Sequence, residues 1–196
     1  MGGLASARGA FGITSVRELG SLLRLVVRME DPLAAARSLA EACQAAEAAG
    51  ATSILLGQTD ASARELAQEA RALLARLRVP LLLSGRADVA IAVGAAGVHL
   101  GADDVPVPMI RRIAPGGFLI GASVATPQEL ENGRGADYWA IGPWRRDGAE
   151  AVGSAGFSAL VRRAEGRPCI AIGGTLREDL DAVIGAGGVG IVVPEP

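Results

Sequence analysis

Residues 86–104, RADVAIAVGAAGVHLGADD, decide how the chain is read. They give a short helix carrying Asp88, a stop at Gly94, a small-residue turn, a four-residue aliphatic strand at 97–100 and an acidic loop. His99, the only histidine, lies in the strand, and Asp103 and Asp104 follow it in the loop. A helix, a tight turn, a buried strand and a polar loop in succession form the repeating unit of a parallel α/β fold. Side chains just past the C-terminal end of a strand in such a fold face the ligand, which puts Asp103 and Asp104 at the mouth of a site.

The same unit recurs on both sides. Apolar strands are expected at 22–27, 52–56, 79–83, 118–122, 138–141, 168–172 and 189–193, alongside the one at 97–100. Between them the spacing predicts helices over 32–49, 61–77, 108–113, 127–133, 157–164 and 176–184. The helix at 61–77 places Leu66, Ala70, Leu73, Leu74 and Leu77 on one face, and Asp31-Pro32 supplies a cap and a first-turn proline for the helix at 32–49. The strands lack polar/apolar alternation, as expected when a parallel sheet is buried on both faces. Eight strands alternating with seven helices predict an α/β protein of the (β/α)8, TIM-barrel type; a doubly wound sheet is disfavoured because no G-x-G-x-x-G follows the first strand. Residues 1–21 read as a leader with a short helix capped by Thr14 or Ser15, and 22–196 as one barrel domain. No helix follows the eighth strand, so its outer face is left to the N-terminal segment, to a partner subunit in a homo-oligomer, or to solvent.

Composition narrows the chemistry. The chain has 196 residues, half of them apolar, with a net charge of −2. That balance gives no electrostatic reason to expect nucleic acid or an anionic membrane as partner. All 19 basic residues are arginine, which excludes Schiff-base and lysine general-base catalysis. Cys43 and Cys169 lack metal-type spacing and read as buried thiols. With no signal-peptide pattern and no membrane-length apolar run, a cytoplasmic location is expected.

Several pieces in order, namely PLLLSGRADVAIAVGAAGVHLGADDVP, GASVAT, GADYWAIGP, AIGG and GVGIVV, resemble the family of thiamine-phosphate synthase and thiazole tautomerase. The resemblance implies an enzyme of thiamine biosynthesis, a transferase that joins a hydroxymethylpyrimidine pyrophosphate to a thiazole phosphate, with Mg²⁺ on the leaving pyrophosphate. It implies Asp104 as a metal ligand and Ser123 as a site residue on the fifth strand. It also implies a phosphate cradle at Gly173-Gly174 and Val192-Val193, which as a bare sequence equally reads as a β-to-α turn needing positive φ.

Departures from the family pattern are concentrated in the site. Leu55, Gly57 and Thr59 stand where the family has a Gln, an Arg and a Lys that hold the pyrophosphate. Ser84-Gly85 replaces an Asn-Asp pair whose Asp is a metal ligand, Ala125 replaces the tautomerase histidine, and Pro194 replaces a serine and removes an N–H donor. Arg145 and Arg146, in the loop after the sixth strand, are either replacement cations for the phosphates, together with Arg86, or a solvated loop. His99 reads as a packed barrel histidine ahead of a catalytic base. Three functions stay open: a divergent synthase, a phosphate-ligand-binding protein for thiazole phosphate or thiamine phosphate, and a scaffold domain docking through the eighth strand.

Overall fold

The computed structural model of the protein describes residues 15–29, 38–57, 61–145 and 151–195. Eight parallel strands close on themselves in chain order: β1 (Leu25–Met29), β2 (Ser53–Leu56), β3 (Leu81–Ser84), β4 (Gly97–Leu100), β5 (Leu119–Val124), β6 (Tyr138–Ile141), β7 (Cys169–Ala171) and β8 (Gly190–Pro194). The barrel shuts where β8 pairs with β1, with Val192 opposite Val26. Around it run α2 (Leu39–Ala48), α3 (Ala63–Leu74), α4 (Ala87–Val93), α5 (Val107–Ile113), α6 (Pro127–Asn132), α7 (Gly153–Val161) and α8 (Leu180–Gly185), preceded by α1 (Val16–Leu22).

Strand alternation separates two apolar cores. The outer one packs the strands against the helices, with Val27, Ile54, Leu81, Val98 and Ile120 meeting residues such as Leu66 and Leu73 of α3. The inner one fills the barrel with Val26, Leu55, Leu82, Leu119, Tyr138 and Ile170, joined from below by Leu19 of α1 and by Leu23. The N-terminal helix is therefore a plug for the bottom of the barrel. Outside β8, Val193 instead borders an apolar groove with Leu25, Val27 and Leu176.

Boundaries move from expectation for identifiable reasons. The expected start of the second helix at Asp31-Pro32 lies outside the described residues; α2 begins after Ser38, whose hydroxyl and Glu41 form a reciprocal capping box. Ser15/Glu18 and Ser62/Glu65 cap α1 and α3 in the same way, each contributing about 1 kcal/mol. The first strand starts three residues later than expected, ends two later, and takes in Arg28. The fifth continues to Val124, which puts Ser123 within the strand.

Candidate active site

At the C-terminal end of the barrel the inner faces carry Arg28 on β1, Ser84 on β3, His99 on β4 and Ser123 on β5. In register, Ser84 lies beside His99 and His99 beside Gly121. His99 is buried, with Nδ1 3.2 Å from Tyr138 Oη and Nε2 3.0 Å from Ser123 Oγ. Its ring stacks on that of Tyr138, with centroids 5.7 Å apart. Burial, aided by the positive charge of Arg28, pushes the imidazole down to about 4, so the ring is neutral at physiological pH. Burial raises the Tyr138 phenol above its ordinary value, and the negative charge of Asp137 adds to it. A neutral phenol, a neutral imidazole and a hydroxyl thus form one line from the barrel interior to its mouth.

Gly121 makes that line possible. A Cβ there would lie 2.0 Å from Tyr138 Cζ, so only a glycine on β5 lets the phenol ring cross to His99.

Asp104 sits in the loop after β4, where Oδ2 accepts from the Gly101 N–H at 2.7 Å. It shares a small cleft with Ser123 and Glu129, lined by the loop after β4, the end of β5 and α6. Among the described residues no three His, Cys, Asp or Glu side chains come together as a metal site.

The Gly173-Gly174 turn has φ of 83° and 69°, left-handed at both positions. The loop after β6 lies directly on it. Trp144 and Arg145 donate their N–H groups to Ile172 O and Gly173 O at 2.8 and 2.9 Å, and a Cβ on Gly174 would meet Arg145 O at 2.4 Å. Arg145 directs its guanidinium to both carboxylate oxygens of buried Asp179. The turn reaches β8 through Thr175, whose hydroxyl donates to Val192 O. Val192 faces the barrel interior, whereas the side chain of Val193 faces the outer groove. Arg146 and the residues at 58 and 59 lie outside the described residues. Arg86 pairs with Asp88 through two hydrogen bonds, at 3.0 and 2.8 Å.

The structure thus joins Ser123 to His99 and Tyr138, and Arg145 to the Gly173-Gly174 turn. Arg28 was missed by sequence reasoning because the first strand was expected to end before it. The signal was present: in LVVRM the arginine stands two residues after Val26, on the same face.

The comparisons with known proteins bear on what this site does. Residues 23–195 match the model of the thiamine monophosphate synthase family. The chain belongs to that family. It is 40% identical to a thiamine-phosphate synthase of Azorhizobium caulinodans over 87% of this chain and 85% of that protein. It is 43% identical to one of Methanoculleus marisnigri over 66% and 61%. Among solved structures, the thiamine phosphate pyrophosphorylase of Pyrococcus furiosus superposes with a TM-score of 0.79 at 31% identity, covering 90% of this chain and 87% of that one. The thiamine monophosphate synthase family places the chain in thiamine biosynthesis, and the barrel agrees with that of the Pyrococcus protein. Among the described residues no helix is long and apolar enough to cross a membrane.

Proposed function

We propose that the protein is a thiamine-phosphate synthase, coupling a hydroxymethylpyrimidine pyrophosphate to a thiazole phosphate. In that reaction the thiazole nitrogen lone pair forms a C–N bond at the benzylic-type carbon. The C–O bond breaks, and pyrophosphate leaves with its electron pair. What an enzyme adds is alignment of the two substrates and stabilisation of charge on the leaving group. The observation that carries the reading is Ser123, held by His99 on the inner face of β5 and bordering one cleft with Asp104.

Ser123 offers a hydrogen bond to a substrate at the mouth. Arg28 supplies positive potential there, in a chain with Gly57 and Gly85 where the family pattern has a cation and a carboxylate. The Gly173-Gly174 turn and the backbone of Val192-Val193 form the cradle for the thiazole phosphate, the position usual for an anion in such barrels.

In that cleft magnesium would meet two carboxylates, Asp104, already accepting from the Gly101 N–H, and Glu129, already accepting from the Ala125 N–H. Two carboxylates would hold the ion only together with the oxygens of a bound phosphate, and no step runs through it. A soluble, cytoplasmic enzyme with small phosphorylated substrates is the setting this reading implies.

Arg145 favours a second reading. With its guanidinium committed to Asp179 and no cation at Gly57, the chain could retain phosphate-ligand binding without coupling. Steady-state assay with both substrates and Mg²⁺, beside calorimetry with thiazole phosphate alone, separates the two. Product above the uncatalysed rate supports the synthase; binding without product supports the binder and overturns the synthase.

A further inference from the structure

We propose that Tyr138 and His99 are positioning residues that turn Ser123 into an obligate hydrogen-bond donor toward the barrel mouth. The inference deepens the synthase reading and rests on Ser123 meeting substrate, but its first test needs no substrate.

Tyr138 is buried in the inner core, and among the described residues its hydroxyl makes one hydrogen bond, to His99 Nδ1. A buried O–H without an acceptor is costly. The phenol therefore donates to Nδ1, which must be the unprotonated nitrogen of a neutral ring. The imidazole proton then sits on Nε2 and is donated to Ser123 Oγ, 3.0 Å away. With one lone pair of Oγ occupied by that proton, the serine's own O–H is directed away from His99, toward the mouth. In the opposite tautomer Nδ1–H would donate to the phenol oxygen and strand the phenol proton in the core, while Ser123 spent its proton on Nε2 and faced the mouth only as an acceptor. Ser123 is half-buried and can reach solvent or ligand, whereas Tyr138 cannot. The interior end of the line thus decides the direction of every proton in it.

Around the ring stand Tyr138 from β6, Ser123 from β5, Ser84 beside it in register on β3 and the charged Arg28 from β1. Arg28 disfavours an imidazolium, which would leave Nδ1 unable to accept. Ser123 accordingly acts as a donor to an electron-rich substrate atom, such as a leaving-group oxygen or a nitrogen of the pyrimidine ring. It is neither a base nor a nucleophile, and His99 never takes a proton from it.

Because the chain holds one histidine, nitrogen-15 NMR of the full protein reads this ring without assignment. At neutral pH the expected spectrum shows protonated Nε2 and bare Nδ1; an Nδ1–H tautomer or an imidazolium would overturn the proposal. Tyr138→Phe keeps the ring and removes the donor, so it should lose the pure Nε2–H form; retention of that form would remove Tyr138 from the line. In the coupling assay Tyr138→Phe should lower kcat about tenfold with little change in KM. Combined with Ser123→Ala, it should cost nothing further. Additive losses would mean that Tyr138 does not act through Ser123. An inactive wild type would sink the synthase reading, and the nitrogen spectra would still decide the tautomer.

Discussion

Asp179, almost completely buried, holds the guanidinium of Arg145 with both carboxylate oxygens and also accepts from the Leu176 N–H at 2.8 Å. The pair ties the loop after β6 to the turn after β7, across the proposed phosphate cradle. Its two halves are unequal: Asp179 has a side-chain exposure of 4%, Arg145 of 53%. Removing the arginine strands a buried carboxylate, whereas removing the carboxylate frees a cation that water can solvate. Arg145→Ala should therefore destabilise by about 2–3 kcal/mol, below the usual cost of breaking a fully buried pair because one partner is half-exposed. Asp179→Asn, which can still accept from Leu176, should cost less. Urea denaturation of both variants gives the order, and the reverse order would reject this account of the clasp.

His99 makes stability depend on pH. Its folded value of about 4 lies below the ordinary 6.5, so between these values the unfolded chain binds a proton that the native chain excludes. Stability is then complete above about pH 6.5 and is lost as pH falls toward 4, by on the order of 3 kcal/mol for this one group. His99→Gln removes the titration, and its stability should fall less steeply over that window. Parallel curves for the two proteins would show that the ring is not held neutral by the fold.

Arg28→Met tests the cation on the inner face of β1. Arg28 lowers the His99 value, so its removal should raise the imidazole pKa, a shift readable by NMR titration of the single histidine. Affinity for the pyrophosphate substrate should fall about tenfold, while that for thiazole phosphate, held elsewhere, should stay nearly constant. Equal loss for both ligands would place Arg28 outside the pyrophosphate position.

Gly121→Ala should be among the most damaging small changes in the barrel. The added methyl would collide with Tyr138 Cζ at 2.0 Å, and overpacking of this kind costs about 1–3 kcal/mol. Displacing the phenol should also release His99 Nδ1 and change its nitrogen shift. A variant of wild-type stability and unchanged spectrum would mean that Tyr138 does not need this glycine.

The barrel was legible because its signal is redundant. Each of eight apolar runs carries a share, and β4 and β6 end where their aliphatic stretches end. The site is less so, since it depends on single residues whose direction is set by register. Ending the first strand at Val27 hid Arg28, whereas Ser123 was placed on the fifth strand by the family resemblance alone, since the aliphatic run by itself ends at Ala122. Arg145 was visible as a cation, but its partner Asp179 lies 34 residues on and is brought near only by the closure of β6 on β7. The link from His99 to Tyr138 spans 39 residues and has no local pattern at all.

Coupling by this chain, assisted by Ser123, is open to one decisive measurement. Turnover of both substrates by wild type and by Ser123→Ala, with correct folding of each verified, tests it most directly. The expected result is thiamine phosphate from the wild type and a loss of about a hundredfold in kcat for the variant, the scale on which a positioned donor acts. Wild-type turnover unchanged by Ser123→Ala, or no turnover at all while thiazole phosphate still binds, would contradict it.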